Sequence, residues 1–301
     1  MRPPPPLAAG LQEKRRLAED ALDRALAPEE AWPPTIHRAM RYSLFAGGKR
    51  IRPLLALAAG EAVGGNLDDV MPLGCAAEMI HTYSLIHDDL PCMDDDDLRR
   101  GKPTSHKAFG EAIAILAGDA LLTRAFHLMA EVPAGWDAER VRRRLEATRI
   151  LAEACGTSGL IGGQVEDLES EGRPIPAAAL ERLHRAKTGA LLGACVRGGA
   201  VLGGAQRDET TALAAFADAI GLAFQVVDDV LDATAGAEQL GKTAGKDRDA
   251  GKATYVRLHG VEGARRIAAG LLDRALAAVS PLGARGEPLA ELARLIVERD
   301  T

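Results

Sequence analysis

Apolar residues recur along most of this chain at helical spacing and rarely alternate with period two. Leu11, Leu17, Ala18, Ala21, Leu22, Ala25 and Leu26 fall among charges and predict an amphipathic helix over 7–26, weak at Gly10. Pro28 and Trp32-Pro33-Pro34 break it. Ile36, Met40, Leu44 and Phe45 predict a second helix over 35–45, stopped by Gly47-Gly48. Pro53 suits the first turn of a third, over 53–63. Further helices are predicted over 71–90, 107–130 with Ser105 as its cap, 137–155, 177–203 and 210–231. Two amphipathic helices over 263–279 and 287–297 close the chain. Pro91 ends or kinks the fourth helix. The glycine-rich run 156–165 lacks phosphate-loop spacing and reads as a place of close helix approach, with 167–176 as a polar link.

Composition agrees with an all-α protein. Aromatics are only 3%, and Ala and Leu dominate, so strand formers are sparse and small helix formers abundant. With 301 residues and no linker of domain-separating length, one domain over 1–301 is expected, with 1–6 as a short flexible tail. A net charge of -6 without a basic stripe argues against nucleic acid. Cys75, Cys92, Cys155 and Cys195 have no metal-ligand spacing and read as thiols in a reducing compartment. The proline run at 3–6 is not followed by a signal-type apolar stretch, and eighteen consecutive charge-free apolar residues never occur. A cytoplasmic location and no membrane span are therefore expected.

The candidate chemistry lies in two acidic clusters. In 86–102, six Asp and three basic residues sit between apolar segments 75–86 and 108–129. Asp88 and Asp94 are six apart and share no helix face, so the chain must bend at Pro91 for both to reach one ion. In Phe224-Gln-Val-Val-Asp-Asp-Val-Leu-Asp232, Asp228 and Asp232 are four apart and share a face, with Gln225 close to it. Either cluster alone could be a solvated helix end. Two of them, each embedded in an apolar helix, point to an oxygen-ligand site for Mg2+ shared with substrate phosphates.

Basic groups flank these acids. Lys49 to Arg52, at a helix start, are an anion site or a solvated turn. Arg99, Arg100 and Lys102 either compensate the acids or clamp a phosphate opposite the metal. Lys187 reaches a phosphate or snorkels. His81, about two turns before the acids, is a hydrogen-bonded core residue or, if protonated, an anion partner. The polar run 233–249 adds Lys242, Lys246 and Arg248.

Taken together, Gly47-Gly-Lys-Arg-Ile-Arg-Pro53, Asp88-Asp-Leu-Pro-Cys-Met-Asp94, Asp97-Leu-Arg-Arg-Gly101, Lys187-Thr188 and 224–232 resemble the trans-isoprenyl diphosphate synthases. The likeness runs from Tyr42 to the end and is greatest to the bacterial farnesyl type. It implies an all-helical fold with about ten core helices around a deep central cavity, usually in a homodimer. It implies Mg2+-dependent condensation of isopentenyl diphosphate with an allylic diphosphate, with three Mg2+ per site. By that resemblance Asp88, Asp94 and Asp228 ligate the metal, with Asp89 and Asp232 acting through water or behind the ligands. Arg99, Lys187 and Lys242 hold the allylic diphosphate. Lys49, Arg52, His81 and Arg100 hold isopentenyl diphosphate. Thr188 and Gln225 line the reacting end.

Tyr83 and Ser84, five and four residues before Asp88, set the cavity floor, because helical side chains lean toward the N-terminus. A bulky aromatic there resembles the farnesyl type, so a C15 product from dimethylallyl or geranyl diphosphate is expected, with C20 the alternative. A regulatory subunit would have lost a motif residue, and a terpene cyclase would have no use for Lys49 and Arg52.

Overall fold

A computed structural model describes residues 8–173, 175–234 and 254–298. Among these residues the structure is helical apart from one short hairpin. Its first four helices are α1 (Ala9–Ala25), α2 (Pro34–Leu44), α3 (Ile51–Ala62) and α4 (Leu67–Asp88). Next come the antiparallel strands β1 (Leu98–Arg99) and β2 (Lys102–Pro103). Then follow α5 (Ser105–Phe109), α6 (Glu111–Ala130), α7 (Ala138–Cys155), α8 (Leu160–Ser170) and α9 (Ala177–His184). A π turn, Arg185–Gly189, leads from α9 into α10 (Ala190–Gly203), which is followed by α11 (Arg207–Thr234). After residue 253 come α12 (Tyr255–Val279), a 3-10 segment Ser280–Gly286 and α13 (Glu287–Val297).

The centre is built on α3, α4, α10 and α11. In α3 nearly every residue is buried, and Leu54, Leu55 and Leu57 are fully so. It lies against α10, where small residues allow backbone-to-backbone approach: a Cβ added to Gly199 would sit 2.3 Å from the Ala56 carbonyl oxygen. The longest helix, α11, buries Leu213, Phe216, Ile220 and Val226 and packs against α10 and α12. The outer helices α1 and α7 carry the more polar faces that their charge content requires.

The structure departs from the sequence pattern in several places. The fourth helix begins earlier, at Leu67, because the Asn66 side chain accepts from the Asp68 amide at 3.0 Å and caps it. The helix expected over 107–130 is two helices, separated at Gly110 with φ 86°. Ser105 is not a cap; its hydroxyl is buried without a hydrogen-bond partner. The stretch 160–170 is helical, so Asp167 stands on α8 and not in a polar link. The helix expected over 177–203 is interrupted by the π turn. Within α12, Gly260 has φ 70° and kinks the helix. Lys242, Lys246 and Arg248 lie outside the described residues.

Three helical stretches, Glu111–Ala130, Arg207–Thr234 and Tyr255–Val297, are long and apolar enough to cross a membrane by length and composition. Charged residues interrupt each of them, so none shows in the sequence as a charge-free apolar run. In α11 much of the apolar surface is spent on the core. In α6, by contrast, Ile115 and Leu116 remain exposed.

Candidate active site

Pro91 makes the bend that the first cluster needs. Helix α4 ends at Asp88, and the Asp94 amide then donates back to the Asp88 carbonyl at 2.8 Å. The two ends of the motif are thus brought together by the backbone itself. The Asp95 amide donates to Leu90 at 3.1 Å and the Asp96 amide to Asp89 at 3.2 Å, completing a tight loop.

The Asp residues of this loop have different environments. Burial pushes the Asp88 carboxyl up from 3.8 to about 6, against the pull of Lys187 and with the charges of Asp94 and Asp89 adding to the rise. Asp89 is buried and takes both oxygens to the Arg99 guanidinium, with Nε at 2.8 and 2.9 Å. Arg99 is therefore held by Asp89 in this state, and Asp89 is an anchor for Arg99. Asp96, in the middle of the acidic run, is buried; its carbonyl accepts from the Thr104 hydroxyl at 2.8 Å. Asp95 and Asp97 are exposed, and with His106 they bring donor atoms within 4.8 Å of one another. Asp97 also pairs with Lys107 at 2.8 Å.

The basic side is equally organised. Arg50, to which the motif reading gives no role of its own, has φ 54° and is almost fully buried. It bonds Glu19 at 2.8 Å, Glu78 at 2.9 Å and the Leu44 carbonyl at 2.8 Å. This network fixes the loop between exposed Lys49 and buried Arg52. Arg52 has a buried Nε with no hydrogen-bond partner, and burial lowers its pKa while Glu78, Cys195 and Asp228 counteract. A buried guanidinium with an unused donor is suited to an incoming anion. Arg100, with φ 53°, donates to the Gly47 carbonyl and lies against Gly48.

Of the two readings open for His81, protonation is the one that the structure disfavours. Burial and the charges of Arg52, Arg100, Arg99 and Arg50 hold its pKa well below the usual histidine value. It is neutral at pH 7 and offers an anion a single N–H, not a positive charge. The same four arginines mark this side of α4 as strongly positive. On a neighbouring face of α4, Thr82 and Ile86, with Asp89 just past the helix end, line a space of about 430 Å3, partly open to solvent, together with Tyr42 and Arg99.

On the far side, the π turn carries Lys187 and Thr188. Lys187 Nζ pairs with Asp167 of α8 at 2.6 Å and acts electrostatically on Asp88. The turn is packed between two helices at glycines: a Cβ on Gly163 would lie 2.3 Å from the Lys187 nitrogen, and one on Gly221 2.9 Å from Gly189 Cα. The glycine-rich run around Gly163 is therefore a close-approach surface, as its composition predicts. Thr188 donates to Gln225 Oε1 at 2.9 Å, so these two residues meet as the motifs require. Asp228 lies close enough to Arg52 to act on its charge, while Asp232 is exposed.

Tyr83 is buried, with its hydroxyl unpartnered and its ring edge-on to His87 at 5.7 Å. Ser84 turns its hydroxyl to the His81 carbonyl at 2.9 Å.

The motif residues stand on or beside α3, α4, the hairpin, the π turn and α11. A model of the family described as polyprenyl synthetase matches residues 33–279, which include all of them. The chain belongs to this family. The polyprenyl synthetase assignment is supported along nearly the whole length. The chain is 50% identical over 290 residues to a chloroplastic geranylgeranyl pyrophosphate synthase of Capsicum annuum, covering 96% of this chain and 77% of that protein. It is 47% identical over 292 residues to the farnesyl diphosphate synthase of Geobacillus stearothermophilus, covering 96% and 97%. Among solved structures, an FPP/GFPP synthase of Zymomonas mobilis superposes with a TM-score of 0.84 at 41% identity, covering 96% and 99%. A Helicobacter pylori geranyltransferase, complexed with magnesium and isoprenyl diphosphate, superposes with a TM-score of 0.83 at 33% identity, covering 99% and 98%.

The fold is therefore the all-α isoprenoid synthase fold, and the protein is a short-chain trans-prenyltransferase that condenses isopentenyl diphosphate with allylic diphosphates.

Proposed function

We propose that this polyprenyl synthetase is a Mg2+-dependent farnesyl diphosphate synthase, making a C15 product from dimethylallyl or geranyl diphosphate. The observation that carries the product length is Tyr83, buried a little over one turn before Asp88 and facing His87. A rigid ring at that position would shorten the space for a growing prenyl tail, which supports a C15 product. Geranylgeranyl diphosphate is the second reading, favoured by the higher identity to plant C20 synthases, such as 54% over 258 residues to an Arabidopsis thaliana large subunit.

The donor set fits Mg2+. Asp88 is disfavoured as an anion by its own burial and by Asp94 and Asp89, and a hard cation relieves that condition. Asp88, Asp94 and Asp228 would hold the metal, three ions per site, with Asp232 outside them. When bound, the metal neutralises charge growing on the leaving diphosphate.

The remaining work belongs to the chain. Lys187, Arg99 and Lys242 hold the allylic diphosphate; for Arg99 this means sharing or exchanging its Asp89 partner. Lys49, Arg52, Arg100 and the neutral His81 hold isopentenyl diphosphate, with the unused Arg52 Nε–H as a ready donor. Thr188 and Gln225 present fixed dipoles to the allylic cation left when the carbon–oxygen bond breaks. The C3–C4 double bond of isopentenyl diphosphate attacks that cation. The released diphosphate takes the proton, since carboxylates committed to a cation are poor bases. Apolar walls keep water from trapping the cation.

Exposed Ile115 and Leu116 on α6 support a homodimer through the outer side of this helix. A burying partner accounts for the apolar outer side of α6 without a membrane. The mild acidity and reduced cysteines support a cytoplasmic location. Incubation with isopentenyl and dimethylallyl diphosphates and Mg2+ tests the reading. A C15 product supports it, a C20 product selects the second reading, and no condensation refutes both.

A further inference from the structure

The second acidic motif contains an Asp that the metal reading leaves unused. Asp229 is buried, and both its oxygens are engaged. Oδ2 accepts from the backbone N–H of Tyr255 at 2.7 Å, and Oδ1 accepts from the Gln225 side-chain amide at 3.3 Å. Gln225 in turn accepts from the Thr188 hydroxyl at 2.9 Å. The links close on themselves, because the Tyr255 ring packs on His184 at 5.5 Å and His184 immediately precedes the π turn that holds Thr188. The π turn, α11 and the first turn of α12 are thereby tied into one ring of contacts. The Tyr255 N–H is one of the unpaired donors at a helix start, where a carboxylate is favoured.

We infer that Asp229 is a positioning residue: it fixes which way the Gln225 amide faces and holds α12 to α11, while its neighbour Asp228 faces the cations. The two hydrogen bonds that Asp229 receives, from the Tyr255 N–H and the Gln225 amide, favour the ionised form; in that form the carboxylate has only acceptors and obliges Gln225 to point its NH2 toward Asp229 and its carbonyl oxygen toward Thr188. The carbonyl dipoles at the reacting end are then set before substrate arrives. Burial raises the Asp229 carboxyl from 3.8 to about 7, with the Tyr255 N–H and Gln225 hydrogen bonds opposing the rise and Asp228 and Asp232 adding to it. That environment is consistent with an interior anchor. The catalytic consequence rests on the proposed prenyl transfer; the ring of contacts does not.

The test is D229N, which keeps shape but replaces one acceptor by a donor. Gln225 must then flip or lose its bond. Turnover is expected to fall about 100-fold from the misplaced dipole, with KM for both diphosphates within about threefold. Binding of Mg2+ with inorganic pyrophosphate, followed by calorimetry without turnover, should also stay within about threefold of wild type, whereas D228N loses about tenfold or more. Loss of pyrophosphate binding in D229N to the level of D228N would make Asp229 a ligand and overturn the inference. So would unchanged turnover.

Should D229N fold poorly, the double variant D229N/Q225E restores the pattern. The amide introduced at position 229 donates to the carboxylate introduced at position 225, which accepts from Thr188. The oxygen of that same amide accepts from the Tyr255 N–H. Recovered thermal stability supports the ring, and no recovery refutes it. If wild type itself fails to condense the two diphosphates, the functional reading falls, while the pyrophosphate and stability comparisons still decide the role of Asp229.

Discussion

Replacing Asp88 by Asn should make the metal-free protein more stable while abolishing its activity. In the folded chain, burial holds the Asp88 carboxyl at about 6 instead of 3.8, with Lys187 already opposing the rise. Each tenfold change in proton affinity is about 1.4 kcal/mol, so the displacement makes the ionised group about 3 kcal/mol less favourable in the fold than in the unfolded chain. The sign follows from proton counting. Between about pH 4 and 6 the folded state binds the extra proton, so wild-type stability falls as pH rises through that window and stays low above it. An amide carries no charge and escapes the loss.

The assay is urea or thermal unfolding in chelator at about pH 7.5, above the window in which Asp88 titrates. D88N should gain up to about 3 kcal/mol, or roughly 5 °C. Saturating Mg2+ and pyrophosphate should reverse the order: ligand at about 100 times its dissociation constant adds about 2.7 kcal/mol to wild type and far less to D88N. A D88N protein no more stable than wild type in chelator would refute the reasoning, because Asp88 would then be neither desolvated nor crowded. A mutant that still gained fully from Mg2+ and pyrophosphate would remove it from the ligand set.

Three further outcomes can be checked directly. Tyr83→Ala should lengthen the main product by at least one isoprene unit, read by chromatography of the dephosphorylated prenols; an unchanged profile would remove Tyr83 from the floor. Arg50→Met leaves Glu78 buried without its charge partner and should cost about 3–5 kcal/mol in urea unfolding; a loss below about 1 kcal/mol would show the network to be hydrated. Gly163→Ala forces its new methyl into the Lys187 backbone and should raise KM for the allylic diphosphate roughly tenfold through displacement of the π turn, with the KM for isopentenyl diphosphate little changed; equal effects on both would argue against a local shift.

The sequence carried the parts of this site that depend on spacing. Asp228 and Gln225 share a helix because their separation and apolar surroundings demand it, and Pro91 announced the bend that returns Asp94 to Asp88. What it did not carry depends on which way a buried side chain turns. Asp89 and Asp88 are adjacent and chemically identical, yet Asp89 closes on Arg99 and Asp88 does not. Arg50 reads as one more cation in a basic run, but its left-handed backbone and two carboxylate partners make it the frame of that run. The π turn at Lys187 had a signal, since Gly163, Gly189 and Gly221 are the residues that let three backbones meet there. Separated in sequence, they could be joined only by the fold.

The same contrast explains why the site can be both charged and interior. Its acids and bases are divided between groups that neutralise one another permanently and groups left for the ligand. Arg50 with Glu19 and Glu78, and Arg99 with Asp89, belong to the first kind; they hold loops that water alone could not order. Asp88, with its raised pKa, and Arg52, with a buried unused donor, belong to the second. Each of these is destabilising by itself, and they are opposite in sign, so a magnesium diphosphate satisfies both at once. Free Mg2+ relieves only the acids and free diphosphate only the bases. Binding of the two should therefore be mutually reinforcing, the affinity for each rising with the concentration of the other by the same factor.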